Sequence, residues 1–295
     1  MKQAILFVNL NRTKAEELSQ EIKKELLNRN YMTDIFVCSK GEKFVTDKKY
    51  DIAFSLGGDG TVLYAARAMA LSGTPIFPVN LGTLGFIAGI HPLEWLKVFD
   101  LWLLNNITIS KRIMLEASIY SSASKSSQSA NTQKLLCLND FVISSSGKKM
   151  LMFNVYIGDG EETQKQESLI SLGQFRADGL ITATATGSTA YSASAGGPIL
   201  DPEMEAIILN PISPFTLSVR PLIRQANETF IIELYKIQRS DALLIADGQE
   251  TIKLEPGDRI YITAFSKPCF IVASDKTVFY NALKTKLSWL GVNNA

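Results

Sequence analysis

"DIAFSLGGDGTVLYAARAMA", residues 51–70, decides how this chain reads. An apolar run of strand length stops at Gly57-Gly58-Asp59-Gly60-Thr61, and a segment of helix formers opens directly after it. That is the pattern of a buried strand, a tight turn and a helix. Glycines in such a turn permit positive φ and remove the Cβ atoms that keep phosphates away from backbone N–H groups. The following helix adds the positive end of its dipole. Two readings fit: a cradle for phosphates, or a plain connection in which Asp59 caps the helix. The first raises a question, because a carboxylate repels phosphate.

Working outward, the same alternation continues on both sides. "AILFVNL", "TDIFVC" and "PIFPVN" read as strands. "TKAEELSQEIKKELLNRN" reads as a helix, with Thr13 as cap and Leu18, Ile22 and Leu26 on one face. A second glycine-rich turn, "LGTLGFIAG", follows the next strand. Alternating strands and helices predict a parallel sheet over residues 1–110, and open α/β sheets bind ligands at the C-terminal ends of their strands. From residue 111 to 274 the texture changes to short β-rich runs, among them "RIMLEASIY", "KLLCLNDFVIS", "MLMFNVYIG", "ADGLITATA", "DALLIADGQE" and "DRIYITAFS". These predict a mostly antiparallel, sandwich-like domain. The Ser-rich "SSASKSSQSANTQK" reads as a long hairpin loop and "GDGEETQKQES" as a second polar loop. Residues 275–295 return to helical spacing and are expected to pack back on the first domain.

Composition narrows the function. A length of 295 residues gives room for two cores without staples, and a net charge of +1 provides no global attraction to nucleic acid or membrane. The cysteines, Cys38, Cys137 and Cys269, show no metal-ligand or disulfide-framework spacing. The N-terminal apolar run is too short for a secretory segment, and no stretch approaches the ~20 apolar residues of a membrane span. The protein therefore reads as cytoplasmic, and its Asn-x-Thr triplets as chance matches. His91, the single histidine, lacks the GxSxG elbow that a serine hydrolase would pair with it. Trp95 and Trp102, two helical turns apart, read as core or subunit contacts.

Neither GxGxxG after a strand nor GxxxxGK[ST] occurs, so the standard phosphate cradles do not apply. "RADGLITATATGSTAYSASAGGPI", residues 176–199, offers a dense set of hydroxyls to a polar ligand such as a nucleotide, together with Arg176, Asp178 and Tyr191. The plainer reading is an exposed Ser/Thr-rich hairpin.

In this order, "GGDGT", "LNDF", "ADGLI…TGSTAYSASAGGPI" and "ADGQE" resemble the NAD kinase family over residues 51–250. The resemblance implies transfer of the γ-phosphate of ATP, or of polyphosphate, to the adenosine 2′-hydroxyl of NAD, with Mg²⁺ offsetting phosphate charge. Asp59 is then the proton acceptor, which accounts for a carboxylate beside phosphates. Gly57, Gly58 and Gly60 let the backbone approach them. Asn139 and Asp140 are similar to the family's Asn-Glu pair on the adenosine side of NAD, with Asp in place of Glu. Phe86, Arg176, Asp178, Thr186, Thr189, Ala190, Tyr191, Ser194, Asp247 and Gln249 fall at positions that contact substrates in the family. Tyr64 stands where a basic residue is frequent, leaving Lys149 or Arg67 for the triphosphate, and Ala185 stands where proline is common. No residue is assigned as a metal ligand. The resemblance also implies small-molecule substrates and a homodimer or homotetramer. Two alternatives remain at this level: a diacylglycerol-type lipid kinase, which shares "GGDGT", and a non-catalytic dinucleotide sensor.

Overall fold

Strand and helix alternate through the first third of the computed structural model, which describes residues 1–39, 42–83, 85–121, 133–147, 149–159, 169–235, 242–273 and 276–287. The chain forms two units, Met1–Arg112 with Lys267–Ala295, and Ile113–Ser266. The first begins with β1 (Lys2–Val8), α1 (Ala15–Asn28), β2 (Tyr31–Val37), β3 (Ile52–Gly57), α2 (Asp59–Met69), β4 (Ile76–Asn80), α3 (Trp95–Leu103) and β5 (Ile109–Arg112). The second contains β6 (Leu115–Tyr120), β7 (Gln133–Cys137), β8 (Asp140–Ser145), β9 (Leu151–Asp159), β10 (Ile170–Ala177) and β11 (Gly179–Thr184). A 3-10 turn at Thr186–Thr189 and the single turn α4 (Tyr191–Ser194) come next. Then follow β12 (Ala206–Ile212), β13 (Leu222–Gln225), β14 (Glu228–Leu234), β15 (Ala242–Ala246), β16 (Glu250–Leu254) and β17 (Arg259–Ala264). The chain re-enters the first unit through β18 (Cys269–Val272) and α5 (Lys276–Leu287).

The first unit's sheet has the order β2-β1-β3-β4-β18-β5. Its pairs are parallel as far as β18, and β5 runs antiparallel to β18. In α1, Ala15, Leu18, Ile22 and Leu26 face inward at three- and four-residue spacing. They meet Leu6, Phe54 and Phe77 of the sheet in one cluster that also holds Trp95 and Phe99. Thr13 does not cap this helix. Lys14 occupies the cap position in a left-handed conformation, without a side-chain hydrogen bond. Tyr64 stacks on Phe36 with ring centroids 5.7 Å apart, and its hydroxyl donates to the Glu42 carbonyl. Tyr64 thus belongs to an aromatic cluster with Phe7 and Phe36. Phe279 of α5 packs against Phe86 at 6.2 Å.

The second unit is two antiparallel sheets, β10-β9-β14-β17-β6-β7 and β13-β12-β11-β8-β15-β16. Leu115, Phe153 and Phe230 from one meet Phe141, Leu180 and Leu244 from the other in a single core, as a sandwich requires. Several elements differ from expectation. "KLLCLNDFVIS" is two strands broken at Leu138 and Asn139, and "DALLIADGQE" carries β15 and the turn of the hairpin that β15 forms with β16. In that hairpin Asp247 and Gly248 have φ of 50° and 66°, and the Gln249 N–H donates to the Ala246 carbonyl. This is a turn that the Asp-Gly pair signals. The sequence reading also left out β5, β10, β12, β13 and β18. The Ser-rich tract and the "GDGEETQKQES" loop lie largely outside the described residues. Among those described, no helix is long and apolar enough to cross a membrane.

Candidate active site

In the first unit the connections from β1 and β3 lead to opposite sides of the sheet, β1 to its neighbour β2 and β3 to its neighbour β4. The crevice at the C-terminal ends of β1 and β3 is therefore the topological switch point, where open α/β sheets take ligands. Asp59, the first residue of α2, stands there. Its carboxylate accepts three consecutive backbone N–H groups of the second glycine-rich turn: Phe86 at 2.9 Å, Ile87 at 3.2 Å and Ala88 at 2.9 Å. Asn80 secures the same turn from below. Its amide donates to the Thr83 and Ala88 carbonyls, and its oxygen accepts the Gly82 N–H. A Cβ on Gly85 would overlap the Asp59 carboxylate, so only glycine lets the turn close over it.

The glycines of "GGDGT" differ in role. None of Gly57, Gly58 and Gly60 has positive φ. The Cβ space of Gly57 is filled by Thr61 and Asn9, so that glycine sets the packing of α2 and the β1–α1 turn onto β3. Gly58 is open, with Arg12 as its nearest neighbour.

In the second unit a different carboxylate repeats the device. Asp247, on its Asp-Gly turn, accepts the backbone N–H groups of Leu138, Asn139 and Asp140 at 3.1, 2.8 and 3.3 Å. It thereby holds the break between β7 and β8 open and sets the direction of both following side chains. Asp140 is 4% exposed. Burial first, then the adjacent Asp247 charge, push its carboxyl up to about 7, against a hydrogen bond from the Tyr191 backbone N–H. A pocket of about 470 Å³ opens here, with Asn139, Asp140, Tyr191 and Asp247 on its walls and Val142 and Ile245 among its lining. Asn139 Oδ1 is buried without a donor among the described residues. An apolar floor, a spare acceptor and a carboxyl suit a nucleoside.

The model of the ATP-NAD kinase N-terminal domain matches residues 40–103, and that of the ATP-NAD kinase C-terminal domain matches residues 138–273. An NAD kinase of Treponema denticola is 37% identical over 304 residues, covering 99% of this chain and 98% of the relative. The chain belongs to the ATP-NAD kinase family. An NAD kinase of Thermoanaerobacter pseudethanolicus is 34% identical over 98% of this chain and 99% of the relative. The fold is that of yeast NADH kinase complexed with NADH, with a TM-score of 0.80 at 24% identity, covering 100% of this chain and 89% of that one. It is also that of an NAD kinase from Archaeoglobus fulgidus in complex with ATP, with a TM-score of 0.69 at 23% identity and coverage of 95% and 96%.

Of the positions singled out in sequence, the kinase brings Asn139, Asp140, Ala190, Tyr191 and Asp247 to one pocket. Lys149, Arg176, Asp178, Ser194 and Gln249 are exposed and do not line it. Thr186 is turned inward, its hydroxyl donating to the Pro202 carbonyl at 3.5 Å, and Thr189 donates to the Thr186 carbonyl. The hydroxyl-rich segment is neither a hairpin nor a free set of donors. Thr184 bonds the Leu138 carbonyl at 2.6 Å and Ser188 accepts the Leu200 N–H at 3.0 Å, so these hydroxyls hold backbone. Phe86 is half-buried, with Lys286 Nζ 5.1 Å over its ring. Sequence reasoning missed Arg12, Asn80, Gly85, Val142 and Ile245. Asn80 is the last residue of β4 and Arg12 lies in the turn after β1, both at the C-terminal strand ends that parallel-sheet topology marks as ligand-facing.

Asp140 gives the kinase a testable pH dependence. Its folded value, near 7, lies above the ordinary 3.8 of a free chain. Its contribution to stability is therefore complete below 3.8 and disappears as pH rises through 7. Asp140→Asn, neutral at every pH, is expected to flatten that loss, with a change on the order of a few kcal/mol between acid and alkaline conditions. Urea unfolding of both proteins at pH 5 and pH 8 reads this directly. Parallel pH profiles would show that Asp140 ionises as a free carboxyl does.

Proposed function

We propose that the protein is an NAD kinase that transfers the γ-phosphoryl group of MgATP to the adenosine 2′-hydroxyl of NAD, giving NADP and ADP. The observation that carries this reading is the Asp59 carboxylate, fixed at the switch point by three backbone N–H groups. A carboxylate has about four acceptor positions, so one remains to take a hydroxyl proton. As that proton moves to Asp59, the ribose oxygen attacks the γ-phosphorus and the bond to the β-phosphate oxygen breaks. Positioning and charge stabilisation supply most of the rate in such transfers. Magnesium enters as part of the donor, held chiefly by phosphate oxygens and water.

Asn139 and Asp140 are assigned to the ribose hydroxyls of NAD. The orphaned Asn139 oxygen accepts, and the buried Asp140 carboxyl donates or accepts according to its protonation. Tyr191, 48% exposed at the pocket rim, offers a ring face to a base. Asp247 positions the pair through the backbone rather than touching substrate. The proposal extends to a cytoplasmic homodimer or homotetramer, in keeping with the family resemblance.

The test is direct. Purified protein with MgATP is expected to convert NAD to NADP and to leave diacylglycerol unmodified. Lipid phosphorylation, or NAD binding without any NADP, overturns the assignment.

A further inference from the structure

Arg12 lies in the turn between β1 and α1, and neither composition nor motif singled it out. The turn is built by Asn9. Its side chain accepts the Asn11 N–H at 3.1 Å, and its carbonyl accepts the Arg12 N–H at 3.1 Å. The Asn9 N–H is tied to the Leu56 carbonyl of β3 at 3.0 Å, and its Cβ packs beside Gly57. The turn is thus fastened to β3, the strand that leads into Asp59. From it the Arg12 guanidinium reaches across two glycine turns at once. A Cβ at Gly58 would stand 3.7 Å from one guanidinium nitrogen, and a Cβ at Gly82 would stand 3.5 Å from another. Arg12 is exposed, and among the described residues its guanidinium makes no hydrogen bond or ion pair.

We infer that Arg12 binds the triphosphate of the donor nucleotide. A fixed planar fork of N–H donors, placed in the switch-point crevice between β1 and β3, matches phosphate oxygens in pairs. The bare glycines beneath it leave room for those oxygens, and the N-terminus of the eleven-residue α2 points the same way. The transferred group must pass beside Asp59, which lies one residue beyond Gly58. A cation at Gly58 therefore faces the phosphates of the donor. Of the cations proposed from sequence, Arg67 lies at the far end of α2 from Gly58. The inference rests on reading the protein as an ATP-dependent kinase.

The experiment compares wild type, Arg12→Gln and Arg12→Lys in steady-state NADP formation, with calorimetric titration of MgATP and of tripolyphosphate. In Arg12→Gln the KM for MgATP is expected to rise about tenfold or more, with the KM for NAD unchanged to about twofold. Both titrations should weaken in parallel, and Arg12→Lys should recover part of the loss, because charge returns without the fork. Circular dichroism and the melting temperature should match wild type. An unchanged KM and unchanged titrations, or a rise confined to NAD, overturn the assignment of Arg12. If wild type makes no NADP, the kinase reading fails by itself, and the titrations with MgATP and tripolyphosphate still decide whether Arg12 holds phosphate.

Discussion

Asp59→Asn is expected to lower NADP formation at saturating substrates by ~10² to 10⁴, the range a positioned general base supplies. The substitution keeps shape but replaces one carboxylate oxygen by an NH₂ group. It therefore removes the proton acceptor and also sets donor against donor beneath the second glycine-rich turn, where Phe86, Ile87 and Ala88 present N–H groups. Leaving one of these unpaired costs about 1–3 kcal/mol. The two consequences separate by measurement. Calorimetric binding of MgATP and NAD reports the turn, and single-turnover formation of NADP reports the chemistry. Binding kept within about threefold, with turnover lost, is the outcome expected for a proton acceptor held by a turn that tolerates the change. Turnover within about tenfold of wild type would remove Asp59 from the chemical step.

Gly187→Ala is expected to have the largest effect on stability. A Cβ at this position would overlap the carbonyl oxygen, carbonyl carbon and Cα of Asn139, all of them backbone. No flexible side chain can yield. The same backbone is pinned from two further directions, since the Asn139 carbonyl accepts the Thr184 N–H at 2.8 Å and Asp247 grips the N–H groups around it. Overpacking of this kind costs about 1–3 kcal/mol and more where nothing relaxes, so a fall in melting temperature of several degrees is expected, with weaker NAD binding as Asn139 is displaced. Gly82→Ala supplies the contrast. Its Cβ would meet the flexible Arg12 guanidinium at 3.5 Å and the Asn80 Oδ1 at 3.8 Å, both ordinary contacts, and the melting temperature should hardly move. Equal melting curves for Gly187→Ala and wild type would show that the β7–β8 break is not rigid.

The order of secondary structure in the first unit was legible because parallel strands buried on both faces read as plain apolar runs between helical segments. Strands of the second unit were harder to see. β10 is exposed along nearly its whole length, so it shows no apolar alternation. β12 contains Pro211, which argues against an interior strand. The structure shows why it is tolerated: the Asp178 N–H bonds the Ile212 carbonyl, so Pro211 faces the other edge, past Leu209 where β13 pairing ends. The residue types of the site were legible, and their contacts were not. "GGDGT" pointed to Asp59, but its first glycine makes space for Thr61 and Asn9 instead of phosphate. The hydroxyls of residues 182–192 looked like ligand donors, yet that of Thr184 holds the backbone beside Asn139 and that of Ser188 holds Leu200. Periodicity cannot reveal contacts between residues 27 or 108 positions apart, as in Asp59 with Phe86 and Asp247 with Asn139.

β18 pairs with early strands but is itself synthesised late. It lies between β4 and β5 in the first sheet, yet it is made only after the whole of Ile113–Ser266. During synthesis on the ribosome, β4 and β5 therefore emerge early and wait for the strand that belongs between them, while the inserted unit has all its own strands in hand sooner. The unit that carries Asp59, although begun first, is completed last.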